Sequence, residues 1–384
     1  MAGTKTGEFR ELVSPFLKTK LAAAAQQHGH YSSELRALTL QYLKSAQEDV
    51  IEPNERRRHY ESEVDLTFEG KPLVGVERLY RRTALIEPTT VCAAHCRWCL
   101  RGQYPIKSMT EDDIIHAARY FGAVAEKDNL EEILITGGDP LMSLTLVGMT
   151  VRNISEHAPN IKTIRIGSRV IFHDPRRIDK ELLALFLKFP HIRFEIGVNV
   201  NHPIEFWPES IAAIEKLTDV GIRIYNQHPL LKGVNDDLQT LVDLYGFLRN
   251  YNIDNHYLFH AIPLRGMSHH RTSLDKGLRL AIQLSACGEF SGRAKPRYAV
   301  LSDIGKIVLY EGVIQDRDKN SNTILLRSGY RLQDRMQWNP AWKKPKNMMI
   351  DKNGFMSVWY LDGNDEPVEE SAVDKLYHAH VAGR

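Results

Sequence analysis

The chain has 384 residues, of which 43% are hydrophobic and 26% charged, and its formal net charge is +2. That composition can bury a sizeable core, and so small a charge creates no field to recruit nucleic acid or anionic lipid. No stretch approaches the ~18 uninterrupted apolar residues of a membrane span. The opening run from Met1 to Phe9 lacks the apolar centre of a secretion signal, so a soluble, cytoplasmic protein is expected.

In chain order, residues 9–50 carry helical periodicity, with alanine- and leucine-rich stretches from Leu21 and from Leu35 to Leu43, and the polar run Glu55 to Arg58 follows. From about residue 83 the texture changes to short runs rich in Ile, Val, Phe and Tyr: 83–87, 132–136, 163–167, 193–199, 221–226, 256–262 and 297–301. Helix-like segments separate them, one starting with a capping arrangement at Thr110. Strands alternating with helices at this spacing predict an α/β fold with a parallel sheet, and six or more units favour a partial (β/α)6 barrel of the TIM type over an open sheet. After Lys306 strands and turns alternate again. We therefore expect a helical N-terminal extension (1–75), a barrel (76–310) and a small C-terminal α+β appendage (311–384).

Only four cysteines occur, and Cys92, Cys96 and Cys99 fall within eight residues, just after the first barrel strand. Such crowding argues for a metal or cluster site rather than a disulfide framework. Three thiolates on one loop can hold three irons of a [4Fe–4S] cubane and leave the fourth iron open to a small molecule. The competing reading is a zinc knuckle, but structural zinc takes four ligands. His95 is poorly placed between two of the cysteines, and Cys287 reads as a buried small residue.

The C-x3-C-x2-C spacing after the first strand resembles the radical S-adenosylmethionine (SAM) enzymes, in which the open iron chelates SAM. Gly137, Gly138 and Asp139, at the end of the second strand, resemble that family's glycine motif for the methionine amino group, although a Gly-Gly-Asp-Pro turn alone is only a turn. Over about residues 10–330 the resemblance is closest to lysine 2,3-aminomutases and their relatives. It is carried by the runs 133–141, 164–169, 201–203, 226–227, 231–236 and 270–272. It implies binding of SAM by Asn199 and Gln227 as well, and a requirement for pyridoxal 5′-phosphate (PLP).

The resemblance makes Lys306 the Schiff-base lysine. The other reading of Lys306 is a surface residue in a hairpin between Val300-Leu301 and Ile307-Val308. Tyr80 matches the tyrosine that packs on the pyridoxal ring, while the neighbouring phosphate-binding arginine is Leu79 here, leaving Arg78 or Arg81 to substitute. Arg169 matches a further arginine near the phosphate, and Arg101 the one that clamps the substrate carboxylate, a task suited to a bidentate guanidinium. The two aspartates that hold the distal ammonium in lysine-specific members correspond to Ile262 and Leu301. A buried ammonium without a carboxylate is costly, so lysine is not the expected substrate. Arg265, Arg293, Lys295 and Arg297 instead permit an acidic side chain such as glutamate or aspartate.

The implied reaction is a radical 2,3-migration of an amino group, giving a β-amino acid from an L-α-amino acid, started by one electron from a flavodoxin- or ferredoxin-type donor. A homo-oligomer is implied as well, and no structural metal beyond the cluster. Two other readings stay open: a radical SAM enzyme of the same architecture that deaminates or decarboxylates an amino acid, and a non-catalytic metal-binding protein.

Overall fold

The computed structural model describes residues 9–55, 66–78, 80–101 and 107–368; the side chains of 125–127 and 293 lie outside the description, as do Leu79 and the run 56–58. Pro15 opens helix α1 (Pro15–His28) and Ser14 caps it, its hydroxyl accepting from the Leu17 amide, so residues 9–14 are not helical despite their periodicity. Helix α2 (Ser33–Tyr42) is capped in the same way by Ser32. A two-stranded ribbon (β1, Thr67–Phe68; β2, Lys71–Pro72) follows.

Alternation along each strand then builds the main sheet. In order come β3 (Val76–Glu77), β4 (Thr83–Thr89), α3 (Glu111–Asp128), β5 (Glu132–Gly137), α4 (Leu144–His157), β6 (Thr163–Gly167), the short α5 (Val170–His173) and α6 (Lys180–Leu187). They are followed by β7 (Arg193–Val198), α7 (Pro208–Asp219), β8 (Arg223–Leu230), α8 (Leu238–Asn250), β9 (Ile253–His260), α9 (Leu274–Ala286), β10 (Arg297–Ser302) and β11 (Gly305–Val308). Strands β4 to β10 are parallel, with antiparallel β3 and β11 at the two edges of one nine-stranded sheet. Six βα units and a curled sheet that does not close are the expected partial barrel. All seven strand-like runs read from the sequence became strands, and Thr110 caps α3 through a reciprocal box with Asp113.

Ile133 and Ile135 of β5, Ile164 and Ile166 of β6 and Ile196 of β7 are fully buried in the main core with the helices. The intervening residues Glu132, Arg165 and Tyr225 meet on the opposite face, in the barrel interior. A strand covered on both faces tolerates charge there only where the charges pair.

The remaining chain forms a four-stranded antiparallel sheet from β12 (Ile314–Asp318), β13 (Thr323–Arg331), β14 (Met348–Ile350) and β15 (Phe355–Leu361), with α10 (Leu332–Trp338) after β13. Arg271, wholly buried, ties this sheet to the barrel. Its guanidinium donates to the carbonyls of Ala261 (3.0 Å), Asp362 (2.9 Å) and Leu361 (2.5 Å). Arg271→Met keeps the stem but removes three buried hydrogen bonds, leaving Ala261 O and Asp362 O only the longer bonds from Tyr360 (3.3 Å) and Asn322 (3.4 Å). It is expected to lower unfolding free energy by about 3 kcal/mol, read as a fall in the urea midpoint.

Candidate active site

The cysteine loop begins two residues after β4 and is held from three sides. From the N-terminal segment, Leu12 O accepts from the His95 amide (2.8 Å) and Gln41 O from the Arg97 amide (2.8 Å), while the Arg97 guanidinium pairs with Glu48 and donates to Phe9 O (3.0 Å). From β5, the amides of Gly138 and Asp139 donate to Thr89 O and Val91 O, both at 2.8 Å. That approach needs glycine. A Cβ on Gly138 would overlap the Thr90 and Val91 carbonyls, and one on Gly137, at φ +117°, would overlap Thr89 O.

The third side is electrostatic. Arg169 donates from Nη1 to Cys96 Sγ (2.9 Å) and from Nη2 to Glu205 Oε2 (2.5 Å), with its backbone amide on Asp139 Oδ2 (2.8 Å). Asp139 Oδ1 also accepts from Ser168 Oγ (2.8 Å), so this carboxylate ties the end of β5 to the end of β6. Arg169 thus lies against the cysteine loop, its guanidinium held by Cys96 and Glu205. Arg78 is engaged elsewhere too, with Asp128 at 2.7 Å, and Arg81 is exposed.

All three loop cysteines are free thiols. Burial pushes the Cys92 thiol up, and Cys99, Asp139 and Cys96 push it further, so the three sulfurs and one carboxylate share a neighbourhood that favours a cation. Burial likewise raises Cys96, with Arg169 opposing it. Among the described residues no three His, Cys, Asp or Glu side chains converge on a single-ion site. A cubane does not require that convergence, since each thiolate takes its own iron. The donor set fits an iron–sulfur cluster. Cys287 is half-buried at the end of α9, with Sγ 3.1 Å from Leu284 O.

Asn199 follows β7 directly, and Gln227 lies on the neighbouring β8, where Val198 pairs with Asn226. The Asn199 Oδ1 is buried without a hydrogen-bond partner among the described residues.

Lys306 lies on β11, register partner of Leu301 in a hairpin with β10. The hairpin is real, but the side chain enters the barrel. Its Nζ stands 4.4 Å from the Tyr257 ring centre and 5.2 Å from that of Phe259. Burial and the nearby Arg165 lower its pKa to about 8, with Glu132 opposing. An amine so lowered is partly neutral near pH 8, as condensation with a carbonyl requires. The Tyr330 hydroxyl donates to Lys306 O (2.8 Å), and the Tyr80 ring lies 6.2 Å from that of Tyr330. Arg165 pairs with Glu132 and donates to the Tyr225 hydroxyl (3.3 Å). Lysine, aromatic rings and an interior guanidinium make a donor set that fits PLP.

Ile262 and Leu301 join Phe259, Ala299, Tyr257 and Leu100 in an apolar cluster against the same rings. The basic residues expected to favour an acidic substrate are not gathered there: Arg265 and Arg297 are exposed, Lys295 Nζ donates to Ser285 O, and the Arg293 side chain lies outside the description. Arg101 pairs with Glu87 and, at 3.4 Å, with Glu77. Sequence reading missed Glu87, Glu205 and Arg165. A lone carboxylate in the apolar run 83–87 and a lone arginine between Ile164 and Ile166 were the available signals for two of them.

The family model described as the radical SAM superfamily matches residues 86–245. The chain is similar to a putative L-lysine 2,3-aminomutase of Aquifex aeolicus, 31% identical over 280 residues, which cover 71% of this chain and 73% of that one. It is also similar to an L-lysine 2,3-aminomutase of Methanococcus maripaludis, 32% identical with 60% and 53% covered. A glutamate 2,3-aminomutase of Clostridioides difficile is 29% identical, with 59% and 52% covered.

Two outcomes test this geometry. Gly138→Ala, overlapping the loop backbone, is expected to cost on the order of 2 kcal/mol and to lower iron bound per chain after anaerobic reconstitution. Glu87 is raised from 4.5 to about 7, chiefly by burial, with Glu77 adding to the rise and Arg101 and Lys107 opposing. Between those values the folded chain binds more protons than the unfolded one, so this group's contribution to stability falls as pH rises. Glu87→Gln removes that slope. Relative to the parent it is expected to gain on the order of 2 kcal/mol between pH 4.5 and 8, measured by urea unfolding at a series of pH values.

Proposed function

We propose, from the premise that this chain belongs to the radical SAM superfamily and within it to the lysine 2,3-aminomutase-like family, that it is a PLP-dependent amino acid 2,3-aminomutase acting on a substrate other than lysine. The observation that carries the reading is Lys306. Its amine, lowered to about 8, lies over the Tyr257 and Phe259 rings, which share one apolar cluster with Leu100 of the cysteine loop.

Cys92, Cys96 and Cys99 would hold the cluster, with Gly137, Gly138, Asp139, Asn199 and Gln227 around SAM; together these groups supply a carbon radical, and PLP supplies a ring that delocalises spin. Lys306 would tether PLP, Tyr80 would flank it, and Arg165, a guanidinium close enough to depress the Lys306 amine, is the cation suited to its phosphate. Arg101 would orient the substrate carboxylate once Glu87 takes a proton or yields, because both carboxylates compete for one guanidinium. Leu301, Ile262 and Phe259 exclude water from the interior, which protects radicals from side reactions. Their apolar character favours an uncharged substrate side chain over an ammonium, which would be left without a counter-ion. The reductant would be a flavodoxin- or ferredoxin-type protein, and a cytoplasmic homo-oligomer is in keeping with the reading.

The test is anaerobic reconstitution of the full chain and of Lys306→Ala, with iron, sulfide and PLP quantified and the visible spectrum recorded. Expected are iron–sulfur absorption in both proteins and a PLP band only in the parent, which then converts a member of an α-amino acid panel to its β-isomer. A cluster with no PLP in the parent would sink the aminomutase reading and favour deamination or decarboxylation on the same scaffold. Zinc in place of iron and sulfide would overturn the radical chemistry altogether.

A further inference from the structure

A permanent positive charge stands on one of the three loop thiols and has no route away from it. Arg169 is 8% exposed, and Glu205, its carboxylate partner, is completely buried. Beyond the bonds to Cys96 and Glu205, Arg169 Nη2 reaches Gln41 Oε1 (3.4 Å), and the rings of Trp98 and Tyr42 flank the guanidinium at 5.3 and 5.4 Å. Glu205 is fixed in turn. Its Oε1 accepts from the amides of Asn201 (2.9 Å) and His202 (3.1 Å), and its Oε2 from the Tyr42 hydroxyl (3.2 Å). A guanidinium held at both ends cannot swing toward a phosphate, and in a dry environment its field on the sulfur is little screened.

A hydrogen bond and a positive charge at a ligand sulfur stabilise the more negative, reduced state of an iron–sulfur cluster. We infer that the buried Arg169–Glu205 pair sets the reduction potential of the cluster through Cys96. The guanidinium makes the cluster easier to reduce, and the carboxylate behind it limits that effect. The step concerned is transfer of one electron from a low-potential flavodoxin- or ferredoxin-type donor to [4Fe–4S]2+, giving [4Fe–4S]+. No bond breaks and no proton moves, since the arginine stays protonated throughout. Arg169 is a positioning residue in this role: it acts on the substrate chemistry only through the cluster. The inference rests on the assignment of Cys92, Cys96 and Cys99 to a cluster, and on neither PLP nor the identity of the amino acid.

The experiment is an anaerobic redox titration of the reconstituted full chain without SAM, following the EPR signal of the reduced cluster, in the parent, Arg169→Gln, Arg169→Lys and Glu205→Gln. For Arg169→Gln the ratio of reduced to oxidised cluster at a fixed poise is expected to fall about tenfold, a shift of ~59 mV to lower potential for one electron. Arg169→Lys, which keeps the charge, should fall between that variant and the parent, and Glu205→Gln should shift the other way, to higher potential. Unchanged potentials in variants that carry the parent's iron and sulfide would overturn the inference. So would loss of SAM affinity in Arg169→Gln at an unaltered potential, which would make Arg169 a cofactor clamp. Should Arg169→Gln fail to take up iron, Glu205→Gln decides, and absence of an upward shift counts against the proposal. Failure of the parent itself to form a cluster would be a failure of the functional reading instead.

Discussion

Burying one guanidinium organises the end of the barrel where the cysteines lie. An isolated cation in the interior is prohibitive, and it becomes tolerable only when it is paired with an anion and hydrogen-bonded. Arg169 draws its partners from distant parts of the chain: its terminal nitrogens meet Cys96 from the loop after β4, Glu205 from beyond β7 and Gln41 from α2, and its backbone amide meets Asp139 from the turn after β5. Four segments far apart in sequence are thereby brought to one point. The same requirement explains why α1 and α2 are not a loose extension. Tyr42 bonds to Glu205, and the Ser14 hydroxyl donates to the His173 carbonyl at 2.5 Å, at the last residue of the helix that Arg169 precedes.

The interior of the barrel repeats the logic with a different outcome. Glu132, Arg165 and Tyr225 form a paired network, and Lys306 stands near it without being part of the ion pair. Since burial strips water from the ammonium and Arg165 repels it, the amine loses its proton more readily than a surface lysine. His256 experiences the same environment: burial, with Lys306, Arg165 and Arg297 adding to it, lowers it to about 4. A region in which Lys306, Arg165 and Arg297 all act on one buried histidine is one that an anionic phosphate would relieve.

Much of this was legible in the sequence, for identifiable reasons. Seven strands were found because alternating runs bounded by turns have a local cause, and the cysteine loop because three thiols in eight residues have few explanations. The Gly137-Gly138 turn was legible as a motif, but its reason, a carbonyl approach that leaves no room for a Cβ, is a tertiary fact. Arg169 was expected near a phosphate and lies against the cysteine loop. It stands four positions from Arg165, and nothing in one dimension tells which arginine turns toward the cysteines and which into the barrel; the helix that begins after Arg169 redirects the chain. Glu87 and Glu205 escaped because a buried carboxylate is intelligible only with its partner in view. Conversely, the basic residues Arg265, Lys295 and Arg297 looked like one group in sequence, but Arg265 and Arg297 are exposed and Lys295 donates to Ser285 O.

The two halves of the site are joined by an apolar bridge rather than a polar one. Leu100, next to the last loop cysteine, packs with Phe259, Ala299 and Leu301, and the Phe259 ring lies beneath the Lys306 ammonium. Polar groups would have been the easier way to link a charged loop to a charged lysine, but each would bring water or a transferable hydrogen into the space between them. Hydrocarbon excludes water and strengthens the fixed charges at either end, because their fields cross a medium of low polarisability. The placement of Leu301 and Ile262 therefore bears on two properties at once. On the proposed reading they would leave a lysine side chain without the carboxylates it requires, and they would keep water from the reacting groups.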